Sequence, residues 1–154
     1  MNTNESVIIS FYEAFQKKDV ATMQDSYSDL ATFSDPVFRN LSADQVRKMW
    51  EMLVKRGKDM KIEFSNVKAD HQTGSADWVA TYTFSGSGRM VTNKIHAEFE
   101  FIDGKILQHT DDFDFHNWAK QALGLPGQLL GWTRSFHNKV SQKAMESLHQ
   151  YMKR

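Results

Sequence analysis

Apolar residues along the first third of the chain recur at helical spacing. Val7, Ile8, Phe11, Ala14 and Phe15 fall at i, i+1, i+4, i+7 and i+8, which predicts an amphipathic helix ended by Lys17-Lys18-Asp19. Asp19 is placed to cap a second short helix running through Val20, Met23 and Tyr27. Ser42 followed by Gln45 has capping-box spacing, and behind it Val46, Met49, Trp50, Leu53 and Val54 form a third stripe that Gly57 ends. The period then changes to two. Ile62 and Phe64 open one strand; Trp78, Ala80, Tyr82 and Phe84 alternate along another, and Ile95, Ala97, Phe99 and Phe101 along a third. Asp103-Gly104, between apolar segments 99–102 and 106–113, predicts a tight hairpin, because glycine accepts the positive φ of a primed turn. Gln72-Thr73-Gly74 and Ser85-Gly86-Ser87-Gly88 predict the other turns.

Helical spacing returns after Phe113. Asp114 is placed to cap a helix carrying Trp118, Ala122 and Leu123, stopped by Gly124 and Pro126. A glycine-flanked loop follows, and a last helix is expected over about 133–151, with Phe136, Val140, Ala144, Leu148, Tyr151 and Met152 on one face. Helices first and hairpin-joined strands after them predict an α+β fold with an antiparallel sheet. No internal repeat, low-complexity tract or linker interrupts it, so residues 1–154 are read as one domain with 125–154 as a C-terminal helical extension.

Composition narrows the function classes. The chain is 40% hydrophobic, and its eleven Phe, four Trp and eight Met are large, adaptable side chains suited to a core or an apolar cavity. Lys plus Arg equal Asp plus Glu at 19 each; a nucleic-acid partner, which calls for a basic excess, is not expected. There is no cysteine, which excludes disulfides and thiol chemistry. The opening residues Met1 to Glu5 lack the basic start of a secretory signal, and no apolar run reaches the ~20 residues that span a bilayer. The expectation is a cytoplasmic protein without integral membrane association.

Several segments, taken in order, carry a family resemblance. Phe11-Tyr12-Glu13-Ala14-Phe15-Gln16-Lys17-Lys18-Asp19 and then Phe33-Ser34-Asp35-Pro36-Val37-Phe38 resemble the N-terminal helices and Asp-Pro segment of the nuclear transport factor 2-like superfamily. Phe99-Glu100-Phe101-Ile102-Asp103-Gly104-Lys105-Ile106 resembles its hairpin, and His109-Thr110-Asp111-Asp112-Phe113-Asp114 with Gln121-Ala122-Leu123-Gly124 the end of a SnoaL-like domain. The superfamily includes ketosteroid isomerases and SnoaL-like polyketide cyclases. The resemblance implies a cone-shaped curved antiparallel sheet with N-terminal helices around an apolar pocket, and a homodimer built on the sheet's other face.

It also implies candidate chemistry. Tyr12 and Asp35 match the tyrosine and aspartate with which the isomerases stabilise an enolate and move a proton. Burial in an apolar cavity would raise the carboxyl of Asp35 into a useful range. The isomerases' second acid, on the third strand, falls on Ala97, which cannot donate, while the neighbouring His96 points to the opposite face. His109 and Asp114 match residues around the acid–base aspartate of the cyclases. Each candidate also has a plain structural role: Tyr12 in the core, Asp35 in an Asx-type turn before Pro36, His109 bonded to Asp111, and Asp114 as a helix cap. His109, Asp111, Asp112, Asp114 and His116 together do not have metal-site spacing, so no metal or other cofactor is expected.

The last helix carries Arg134, Lys139, Lys143, Lys153 and Arg154 against Glu146 alone, a pattern suited to an anionic surface or to covering the chain's own domain. The expected function is a small-molecule pocket protein acting by general acid–base chemistry on an apolar carbonyl-type metabolite, as an isomerase or cyclase does. The alternative is a non-catalytic ligand-binding or dimerisation module.

Overall fold

A computed structural model describes residues 3–154; Met1 and Asn2, part of the stretch read for a secretory signal, lie outside the described residues. Helices α1 (Thr3–Lys17) and α2 (Val20–Asp25) lead into strands β1 (Tyr27–Ser34) and β2 (Leu41–Ser42). Helix α3 (Ala43–Arg56) follows, then four strands: β3 (Lys61–Ala69), β4 (Thr73–Phe84), β5 (Arg89–Ile102) and β6 (Lys105–Asp112). Helices α4 (Phe115–Leu123), α5 (Leu125–Leu130) and α6 (Arg134–Met152) end the chain.

The expected start signals are in place. Ser42 and Gln45 form the reciprocal capping box of α3, and Asp19, Asp114 and Thr133 cap α2, α4 and α6 by accepting from backbone N–H groups. Asp103 and Gly104 take φ of 48° and 75°, the left-handed pair that a two-residue hairpin requires. Along β5 every second residue from Val91 to Phe101 is buried, as the alternation predicts.

Two elements differ from the expectation. Tyr27 does not continue α2; that helix stops at Asp25 and Tyr27 opens β1. The pairing of β1 with β6 shifts between Tyr27 and Thr32; Tyr27, Ala31 and Phe33 turn inward on one alternation, but Asp29 between them is exposed, as is Leu30. A polar residue at position 29 and an apolar one at position 30 interrupt the alternation in the sequence and conceal the strand. The glycine-flanked loop is instead a short helix, α5, packed so closely on α4 that a Cβ on Gly127 would lie 2.0 Å from the carbonyl oxygen of Ala119.

The six strands form one curved sheet in the order β2-β1-β6-β5-β4-β3. Every pairing is antiparallel except β1 with β6, which is parallel. Register shifts in β3 and β5 add bend, and Asn66 takes a positive φ at the first of them. Helix α1 lies against β3 and β4, α3 against β1 and β2, α4 against β5, and α6 against α3. Between helices and sheet sits an aromatic core: Phe11 meets Tyr12, Tyr27 and Trp50 edge-on at 5.1, 5.7 and 5.8 Å between ring centres. Among the described residues no helix is long and apolar enough to cross a membrane.

Candidate functional site

The concave face of the sheet and the helices α3, α4 and α6 enclose a cavity of about 550 Å³. Its wall is mostly apolar, with Met49, Trp50, Trp78, Ile95, Phe113 and Trp118 among its residues, a setting in which the few polar groups dominate recognition. Four of these are Asp35, Tyr82, Asn93 and Asp111. A second, shallow depression of about 630 Å³ between Arg39 and the start of α6 is open and polar, and lies apart from these groups.

Asp35 leaves β1 into a tight turn. Its Oδ1 accepts from the backbone N–H groups of Val37 and Phe38 at 2.7 and 2.6 Å, and its own N–H donates to Phe38 O. No partner among the described residues takes Oδ2. Burial pushes the carboxyl up to about 7 despite those two bonds, and the charge of Asp111 adds to the rise.

Asp111 faces inward because it is two residues from His109 on β6, and the two side chains meet: His109 Nε2 lies 2.9 Å from Asp111 Oδ1. Trp78 Nε1 donates to the same oxygen at 3.3 Å. On the far side of the imidazole, Nδ1 is 2.8 Å from the Tyr27 hydroxyl, which accepts from Trp50 Nε1 at 2.8 Å. One proton arrangement satisfies all of these atoms. Trp50 donates to Tyr27, Tyr27 donates to Nδ1, and the Nε2 proton goes to Asp111. The result is a buried chain of hydrogen bonds that ends on a carboxylate in the cavity wall.

Tyr82 and Asn93 add two neutral polar groups to this wall. The Tyr82 oxygen accepts from Trp118 Nε1 at 2.9 Å, and no acceptor among the described residues takes its proton. Burial raises its hydroxyl above the ordinary range. Asn93 is only 6% exposed, and its amide has no hydrogen-bond partner among the described residues. That amide is not sealed off, so it stays open to a partner in the cavity it lines.

Of the four residues singled out from the sequence, Asp35 lines the cavity and the other three do not. Tyr12 is fully buried in the aromatic core, stacked on Phe64 at 5.5 Å, its hydroxyl without a partner among the described residues. Burial holds that hydroxyl well above its ordinary pKa, and the charge of Asp111 adds to it. His109 stands behind the wall and reaches the cavity only through Asp111. Asp114 caps α4, accepting from Asn117 N at 3.0 Å. Ala97 is paired directly across from Asp111, so the inward carboxylate at this level of the sheet comes from β6, not β5. Among the described residues no group of three or more His, Asp or Glu is placed to hold a metal ion.

A helix-wrapped, curved sheet around an apolar cavity defines the nuclear transport factor 2-like class. Within it, the model of the SnoaL-like domain matches residues 8–109, and the chain belongs to that family. No curated protein matches the sequence. Among solved structures it is similar to a nuclear transport factor 2-like protein of unknown function from Burkholderia pseudomallei, at 16% identity over 79% of this chain and 98% of that one, with a TM-score of 0.70. It is also similar to IdmH of Streptomyces antibioticus, a proposed polyketide cyclase, at 18% identity over 80% and 100%, TM-score 0.66. An LEH-like epoxide hydrolase from M. tuberculosis matches at 18% identity over 84% and 96%, TM-score 0.64. At these identities the likeness is one of fold.

Proposed function

We propose that the protein is a cofactor-independent enzyme that moves a proton on an apolar carbonyl compound held in the cavity, with Asp35 as the proton carrier. The observation that carries this reading is the Asp35 carboxyl itself. It lines an apolar cavity, offers an unpartnered Oδ2, and is pushed up to about 7, where acid and base forms are both present near neutral pH. The base form takes a proton from the carbon beside the carbonyl, and the carbonyl oxygen gains charge. The Tyr82 hydroxyl, fixed through Trp118, and the Asn93 amide are the donors available to that oxygen. Protonated Asp35 then returns the proton, to the same carbon or another. Asp111 is held by two donors, and its charge adds to the rise of the Asp35 carboxyl. The described cyclase and epoxide hydrolase of the same fold agree with small-molecule chemistry in such a cavity.

The test is deuterium uptake from D₂O into 2-tetralone, an apolar ketone with an acidic C–H, followed by NMR. The protein should accelerate exchange, with a rate that rises with pH to a plateau above about 7 as Asp35 ionises. Asp35→Asn should lower it by about 10²-fold or more. Equal exchange in wild type and Asp35→Asn would remove Asp35 from the chemistry. Binding of the ketone without any acceleration would favour a pocket that only holds its ligand.

A further inference from the structure

Three cations stand in the cavity wall. Lys139 and Lys143 lie one turn apart on α6, flanking the cavity-lining Val140, and Arg56 comes from the last turn of α3. Arg56 Nη1 reaches Ser147 Oγ at 3.5 Å, which brings the end of α3 to the middle of α6 and gathers all three charges on one side of the opening. All three residues are exposed, and none is in an ion pair among the described residues. Of the acids nearby, Glu51 accepts from Tyr151 at 2.7 Å and pairs with Lys48, and Glu146, one turn beyond Lys143 on α6, offsets one of the three charges without forming an ion pair among the described residues. Like charges at i and i+4 repel, so this rim is unfavourable until an anion meets it. Deeper in the wall the sign reverses, with the carboxyls of Asp35 and Asp111.

We infer that the substrate is an apolar molecule ending in an anion, a carboxylate or a phosphate, which rests among Arg56, Lys139 and Lys143 while the apolar body extends to Asp35 and Asn93. This inference rests on the cavity being the binding site proposed above. Inner carboxylates repel the charged end and rim cations attract it, so the molecule enters in one orientation, with its apolar part toward Asp35. The anion at the rim thereby sets which carbon meets the proton carrier.

The experiment uses the full chain with N-phenyl-1-naphthylamine as a neutral fluorescent reporter, displaced by decan-1-ol, decanoate or decyl phosphate. Each exposed charge contributes only a few-fold, so Lys139→Gln with Lys143→Gln should raise the concentration of anionic competitor needed by about fivefold or more. High salt should do the same to the wild type, while decan-1-ol changes less than twofold in either case. The anion that loses more in the variant identifies the end group. Displacement by both anions that is equal in wild type and variant, with the reporter still bound, overturns the rim assignment and leaves the cavity reading standing. A reporter that binds neither protein overturns both.

Discussion

Asp35 links the proposed chemistry to stability. Its carboxyl loses its proton near 3.8 in an unfolded chain and at about 7 in the folded one. Between those values the folded state binds more protons, so the group's contribution to stability is full below about 3.8, falls as pH rises and is gone above about 7. Asp35→Asn removes this loss. In urea titrations the variant should gain on wild type by about 1–3 kcal/mol between pH 4.5 and pH 8. Carboxyls held below their ordinary range, such as Asp70 by the N–H groups of Thr73 and Gln72, act at the acid edge in both proteins and cancel in the comparison. A flat difference across pH would mean that Asp35 is solvated. Tyr27→Phe tests the buried chain in the same way. It strands both Trp50 Nε1 and His109 Nδ1 and should cost about 2–4 kcal/mol, whereas a loss under about 1 kcal/mol would refute the chain as drawn. Of the site residues, Asp35 was visible in the sequence because Asp-Pro-Val belongs to a recognisable pattern. Tyr82 and Asn93 were not. Each occupies an inward place on a strand, and only the β4–β5 pairing, with Ala80 opposite Asn93, puts them on one wall. Asp111 was visible as a partner for His109 and in a group without metal-site spacing, but not as a cavity residue, because its position across from Ala97 depends on register.

At the scale of elements, legibility followed periodicity and caps. Helices α1, α3 and α6 and strands β4 and β5 carry unbroken stripes, and capping residues mark the starts of α3 and α6. β1 was hidden by Asp29 and Leu30, both exposed in mid-strand, and α5 is held by the close approach of Gly127 to α4, a contact with no sequence period. Helix α6 was legible as amphipathic, but its purpose was not. Ser141 Oγ donates to Val37 O, His137 Nε2 donates to Pro36 O, and the His137 ring stacks on Phe115 at 3.9 Å. The helix thus fastens the turn that carries Asp35. Only Ser141 and Leu148 of α6 are buried, so Leu148 supplies much of its apolar anchoring. Leu148→Ala should lower global stability by about 2–4 kcal/mol. Amide exchange should rise in α6 more than in β5, whose inward side chains lie under the helices. Equal acceleration in both would show that α6 and the sheet open as one unit.

For the whole molecule, the balance of cavity and core leads to a prediction about what the protein carries when purified. Protein interiors pack densely, and an apolar hollow of about 550 Å³ that held nothing would forfeit attraction along its entire wall. A guest restores those contacts and satisfies Asn93, and it stabilises the fold by mass action, about 2.7 kcal/mol at a hundred times its Kd. Native mass spectrometry of protein taken directly from cells should therefore give a mass above 17.8 kDa per chain, with the excess released on denaturation as an apolar compound. The same spectrum counts subunits. We expect two, since the face of β3, β4 and β5 away from the helices is left uncovered, bearing His96 bonded across the strands to Asp77 and along its own strand to Glu98. If the bare chain mass appears even after gentle desalting, the next step is to add decanoate and heat. A rise in melting temperature would show a cavity that binds but is not filled during expression. No rise would mean that the wall closes on itself in solution, and the site proposed here would lose its foundation.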